Sequence, residues 1–187
     1  MGNITQAEMQ TADVIVSTGT GAASGVIRAG TVSSFSHAAL YAGNGQIIEA
    51  IGEGVVKQSL GDALQDDVLA VVYRRQGLSS AQAAIVVSYA SGQVGKSYDY
   101  AGVAGSSGRT VGGTIGRMLF FPLGVIQGVT AAANMLSPES SFFCSELVLR
   151  AFEQADARIT FMPATLSTPS DIPGSHNMQY VGHLKGG

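Results

Sequence analysis

Two short apolar runs, SHAALYA and QIIEAIG, flank Gly43-Asn44-Gly45, and no other stretch limits the fold as tightly. Asn and Gly tolerate the left-handed backbone of a tight hairpin turn, so the two runs are predicted to pair as antiparallel strands. Loop length then decides which side chains share a face, because strand side chains alternate. With a three-residue loop, Ala42 opposes Gln46, His37 faces Ile51, and Glu49 becomes the diagonal neighbour of His37 on the same face. Positions so related lie ~7–8 Å apart at the backbone, within reach of an imidazole and a carboxylate. A two-residue Asn-Gly loop puts Glu49 on the opposite face instead.

An imidazole with a carboxylate behind it invites a search for a nucleophile. The segment FFCSELVL holds the only cysteine of the chain, Cys144. A lone cysteine is ordinarily a small buried hydrophobe. Here Leu147, Val148, Ala151, Phe152 and Ala155 recur on one face of a helix, and Ser140 or Ser141 is expected to cap it. The cap places Cys144 in the first turn, where unpaired N–H groups and the positive dipole end favour a thiolate. The same N–H groups suit the oxyanion formed when a thiolate attacks a carbonyl. His37 is the candidate base that takes the thiol proton and returns it to the leaving group. Glu49 is the candidate that fixes the imidazole tautomer, with Glu53 as the backup in a glycine-rich turn. Glu146, in the helix's first turn, reads as an acid that compensates the dipole. His176 and His183 lie in a loop-rich tail and read as structural.

Elsewhere the pattern is that of alternating short elements. Asp13 to Ser17 reads as a buried strand leading into STGTGAASG, which has the composition of a phosphate loop but not its Gly-Lys-Ser/Thr ending. VLAVVYRR (68–75) reads as a strand with Arg74 and Arg75 at its exit. Ser79 and Gln82 form a capping-box pattern opening a helix that runs to Val94. GKSYDYAG is turn-rich, and PATLSTPSDIPGS reads as loop. MLFFPLGVIQGVTAAANMLS (118–137) carries no charged residue. Pro122, two glycines, Gln127, Thr130 and Asn134 argue against a membrane span, so a partly helical cover over the cleft beside Cys144 is expected. Phe120, Leu123 and Ile126 are expected to face the protein body.

The chain has 187 residues, 45% of them apolar, which suits a single domain spanning 1–187. A net charge of −3 gives no electrostatic footprint for nucleic acid. One cysteine excludes an internal disulfide and a multi-cysteine zinc site, and with three scattered histidines no metal or cofactor is expected. MGNITQAEMQTADVIV lacks a basic segment followed by an apolar one, and Gln6 stands where a myristoylation signal needs Ser or Thr. Action outside the producing cytoplasm therefore implies a carrier that does not read Sec signals.

The ordered set SHAALYAGNGQIIEAIGEGV, GKSYDYAG, FFCSELVLRAF and TPSDI resembles the circularly permuted NlpC-type branch of papain-like cysteine hydrolases. This is the YaeF/YiiX-like group, related to lecithin:retinol acyltransferase, and the resemblance covers about residues 12–173. It implies an α+β fold with a small antiparallel sheet packed on the Cys-bearing helix. By position, Cys144 resembles the family nucleophile, His37 its base and Glu49 its third polar residue. The substrate so implied is an amide bond in bacterial peptidoglycan peptide. A type VI secretion effector acting in a rival's periplasm, with an immunity protein and secretion machinery as partners, is the biological setting implied. The alternatives are a lipid-directed acyl hydrolase or acyltransferase, because the permuted branch includes acyltransferases, and a non-catalytic binding module.

Overall fold

The computed structural model describes residues 2–19, 35–98 and 141–186. The strands are β1 (Val14–Gly19), β2 (His37–Gly43), β3 (Gln46–Ile51), β4 (Gly54–Ser59), β5 (Asp67–Arg75), β6 (Ser97–Tyr98), β7 (Ser141–Phe142) and β8 (Met178–Lys185). The helices are α1 (Leu60–Ala63), α2 (Ser80–Ser91) and α3 (Cys144–Gln154). Six strands form one sheet in the order β4-β3-β2-β1-β5-β8, antiparallel throughout, and β6 pairs with β7 in parallel beside it. The glycine-rich stretch at 20–34, the end of GKSYDYAG, the uncharged segment 118–137 and Ser140 lie outside the described residues. None of the described helices is long and apolar enough to cross a membrane.

The β2–β3 hairpin combines both loop geometries. Gly43 pairs with Gln46 around Asn44-Gly45, and the register then slips by one residue between Tyr41 and Gly43. Beyond that bulge Ala39 pairs with Glu49 and Leu40 with Ile48, the register of an odd-length loop. Gly43, Asn44 and Gly45 have φ of 90°, 53° and 71°, the left-handed region that glycine and asparagine occupy at least cost. The inserted residue thus returns Glu49 to the His37 face.

The sheet is covered on both faces. Val14, Val16, Leu40 and Ile48 meet Leu147, Val148, Ala151 and Phe152 of α3 together with Val86 and Ala90 of α2. On the other face Ile15, Ala39, Tyr41, Ile47 and Val72 pack with Met9 and Leu60. Two-sided burial explains why every residue of β1 is buried and why Val14-Ile15-Val16 runs apolar without alternation. At the far end of β1 the Asp13 carboxylate, 1% exposed, accepts from Nε–H and Nη2–H of Arg74, both at 2.7 Å, and from the Gln10 N–H. The fork ties β1 to β5 and the N-terminal segment.

The helix from Ser79 is present with its capping box and ends at Ser91. The cap of α3 differs from expectation. Its N-cap is Phe143, with no side-chain bond to the first turn, and Ser141 belongs to β7. The extended strand runs to within one residue of the cysteine, which leaves no position for a serine cap. Strands β4 and β8 are not legible from alternation, because each is polar or glycine-containing over much of its length. In β8, a Cβ on Gly182 would lie 2.4 Å from Ile4 Cγ2 and 2.8 Å from the Gly2 carbonyl. The N-terminal segment runs along this strand through Ile4 N–H to His183 O at 2.9 Å and His183 N–H to Gly2 O at 3.1 Å. A glycine is therefore needed inside the strand.

Phe152 is fully buried between helix and sheet, so Phe152→Ala should lower unfolding free energy by about 3–5 kcal/mol in urea titration. Ile85, 46% exposed on α2, should tolerate Ala within about 0.5 kcal/mol.

Candidate active site

His37 is the first residue of β2, and Cys144 is the first residue of α3. The imidazole shares its sheet face with Ala39, Tyr41 and Ile47, whereas α3 packs on the face of Leu40 and Ile48. Thiol and imidazole meet at the sheet end, where both elements begin, and their side chains hydrogen-bond. Cys144 is 3% exposed, in the first turn of a helix of 11 residues. Among the described residues the N–H groups of Cys144 and Ser145 have no acceptor, so the helix end keeps its donors and its positive pole.

Glu49 lies behind the imidazole. Its Oε2 accepts from His37 Nε2, and its Oε1 accepts from the side-chain amide of Gln58 on β4. Gln58 pairs with Ile47 and therefore stands diagonal to Glu49 on the same face. Both carboxylate oxygens are thus engaged, and the side chain is only 4% exposed against 24% for His37. Burial alone pulls the His37 pKa down. Hydrogen bonds to Cys144 and Glu49, together with their charges, outweigh it and hold the imidazole well above its ordinary 6.5. Burial likewise pushes Glu49 up, but the imidazole and Gln58 keep it below its ordinary 4.5.

The helix start is anchored from the other side. Ser145, fully buried, donates from Oγ to the Ser167 carbonyl at 2.8 Å, and Ser167 Oγ donates to the Pro163 carbonyl at 3.1 Å. The PATLSTPSDIPGS segment, which folds into two 3-10 turns (Ala164–Leu166 and Pro169–Asp171), thereby braces the residue next to the thiol. Gln58 and Ser145 were not singled out from sequence. Strand parity would have found Gln58 had GVVKQS been read as β4, whereas Ser145 has no local signal.

The other candidates fall outside this constellation. Glu53 is exposed in the β3–β4 turn. Glu146 is 2% exposed and binds Arg150 Nη2 at 2.7 Å within α3. His176 stacks on Phe161 with centroids 5.4 Å apart, and His183 sits within β8 with Tyr180 against its edge. Among the described residues no three His, Cys, Asp or Glu side chains are grouped as metal ligands.

A thiol at a helix N-terminus, hydrogen-bonded to an imidazole that a buried carboxylate holds from behind, on a mixed fold with an antiparallel sheet, is the arrangement of the papain-like class. Residues 8–107, just over half of the chain, match the family described as permuted papain-like amidase enzyme, YaeF/YiiX, C92 family. The chain belongs to that family, which makes it a papain-like peptidase or amidase by descent. That match includes His37 and Glu49 and stops short of Cys144. A longer similarity, 28% identity over 98% of this chain and 74% of the relative, is to the probable lipoprotein peptidase YaeF of Escherichia coli K12. Among solved structures, the metalloprotein YiiX of Escherichia coli O157:H7 shares the fold, with a TM-score of 0.64 over 92% of this chain and 96% of its own at 17% identity. "Metalloprotein" describes that protein.

The shifted pair sets a stability window. Glu49 contributes stability that is full above its ordinary 4.5 and is lost as pH falls through its lowered value. His37 contributes stability that is full below its ordinary 6.5 and is lost as pH rises through its raised value. The pair therefore stabilises most between about 4.5 and 6.5. Thermal unfolding should show wild type losing stability above that window, and Glu49→Gln should flatten the alkaline decline. An unchanged decline in Glu49→Gln would mean that Glu49 does not hold the imidazole charge.

Proposed function

We propose that this protein is a cysteine hydrolase that cleaves an amide bond in bacterial peptidoglycan peptides. The observation that carries the reading is the Cys144–His37–Glu49 chain at the start of α3. Membership of an amidase family, and a relative named as a peptidase, support amide chemistry over ester chemistry.

The mechanism follows from the bonding. With Nε2 held by Glu49, Nδ1 is the nitrogen left to take the Cys144 proton. The thiolate attacks the amide carbon, forming a C–S bond, and the first-turn N–H groups of α3 receive the oxyanion. The C–N bond breaks as His37 returns the proton to the leaving amine. Water then attacks the thioester with His37 as base, releasing the acid and the free thiol. Glu49 acts through His37, and Gln58 acts through Glu49. Both are positioning residues, not reacting ones. Action in a rival cell's periplasm, delivery by secretion machinery and a protecting immunity protein complete the proposal.

Purified protein should release peptide fragments from peptidoglycan, with masses that identify the cut bond, and should leave phospholipid vesicles unchanged. Cys144→Ala and His37→Ala should each reduce turnover by roughly 10³-fold or more while melting within a few degrees of wild type. Fatty-acid release from vesicles with intact peptidoglycan would replace this reading with a lipid-directed one. Production in E. coli with an added periplasmic leader should lyse cells, and the Cys144→Ala form should not. Survival with the active enzyme present in the periplasm would remove the antibacterial part of the proposal.

A further inference from the structure

One carboxylate beside the site is left without a task by this mechanism. Asp67 opens β5 opposite Gly19, two residues beyond Ser17, and Ser17 is the cross-strand partner of His37. The Ser17 hydroxyl donates to Asp67, and Asp67 interacts electrostatically with His37, Glu49 and Lys185. It is therefore part of the same charged cluster, while its side chain remains partly open to solvent.

Orientation of the imidazole does not call for it. Glu49 already holds Nε2 and is itself fixed by Gln58. Nor, among the described residues, is any cation ion-paired with it, although Lys185 and His37 both favour its charge from a distance. Lys185 donates to the Leu64 and Gln65 carbonyls at 2.8 and 3.0 Å, and His37 is engaged by Glu49 and Cys144. A carboxylate accepts about four hydrogen bonds, and among the described residues Asp67 receives one side-chain donor, Ser17. A second acid next to Glu49 also carries a cost, since Glu49 and burial both disfavour its charge. A partly open, under-used carboxylate at this position suits a ligand that brings a positive charge and N–H donors. It opposes an anionic one such as a phosphate head group.

We propose that Asp67, held by Ser17, binds a protonated primary amine of the substrate next to the scissile amide, and so selects amine-bearing peptides. The proposal rests on the amide-hydrolase reading and adds a substrate class to it. The geometry is a side-by-side one: attack occurs at Cys144 while the amine lies across the His37 end of β1 and β5.

The test uses the full chain and two probes, a peptidoglycan stem tetrapeptide with its amines free and the same peptide with its amines acetylated. Wild type should cleave the free form with a KM about 10- to 100-fold lower, the scale of one hydrogen bond to a charged group. Asp67→Asn should raise KM on the free peptide by a similar factor, with kcat nearly unchanged and the acetylated peptide unaffected. Asp67→Glu, which keeps the charge, should recover much of the loss, and thermal unfolding of both variants should establish that they fold. Equal cleavage of the two peptides by wild type overturns the proposal while leaving the amidase reading intact. An equal kcat loss on both peptides in Asp67→Asn also overturns it, making Asp67 a positioning residue for His37. If wild type cleaves neither peptide nor whole peptidoglycan, the amidase reading fails and this proposal falls with it.

Discussion

The bond between His37 and Glu49 is the interaction on which the rest of the site depends. It joins two adjacent strands across one sheet face, and it exists only because one extra residue at the Gly43 turn sets the register beyond it. Without that bulge, Glu49 would point into the apolar layer beneath α3, where a carboxylate has no partner and its burial costs several kcal/mol. The imidazole would then lose the charge that offsets its own burial. A turn of left-handed residues thus controls the electrostatics of a side chain six positions away.

Around this bond the packing works to hold two element starts together. α3 is locked to the sheet by Phe152, Leu147 and Val148, and its first turn is braced by Ser145 against the Ser167 carbonyl. β2 is fixed between β1 and β3, in the middle of the sheet. Neither His37 nor Cys144 lies on a loop of the described structure, so the reacting pair inherits the rigidity of the core. The start of α3 has no side-chain cap, and it is where the thiol stands. A serine cap would have stabilised the helix by about 1 kcal/mol, but it would have occupied the donors that the proposed chemistry uses.

The charge arrangement also separates roles among the acids. Glu49 is deeply buried, bonded through both oxygens and paired with the imidazole. Glu146 is buried yet committed to Arg150 within its own helix. Asp67 is the partly open one, held by a hydroxyl at the sheet end. These three carboxylates thus differ in what they can still accept, and that difference follows from partner and burial, not from residue type.

The sequence by itself determined the local elements whose signals are strong. The Gly43-Asn44-Gly45 turn, the capping box at Ser79 and the apolar face from Leu147 to Ala155 each follow from backbone preference or periodicity within a few residues. From them came the hairpin and the helix, whereas strand parity left two faces open for Glu49 until the bulge between Tyr41 and Gly43 decided between them. What only the tertiary structure decided is whatever joins residues distant in sequence. β4 and β8 lack alternation because their pairing partners, not their own side chains, define them. The bond from Gln58 to Glu49, the brace from Ser145 to Ser167, the absence of a cap on α3 and the place of Asp67 beside His37 all arise where separate elements converge. No local preference encodes such meetings: they are set by the register of the whole sheet and by how α3 packs across it.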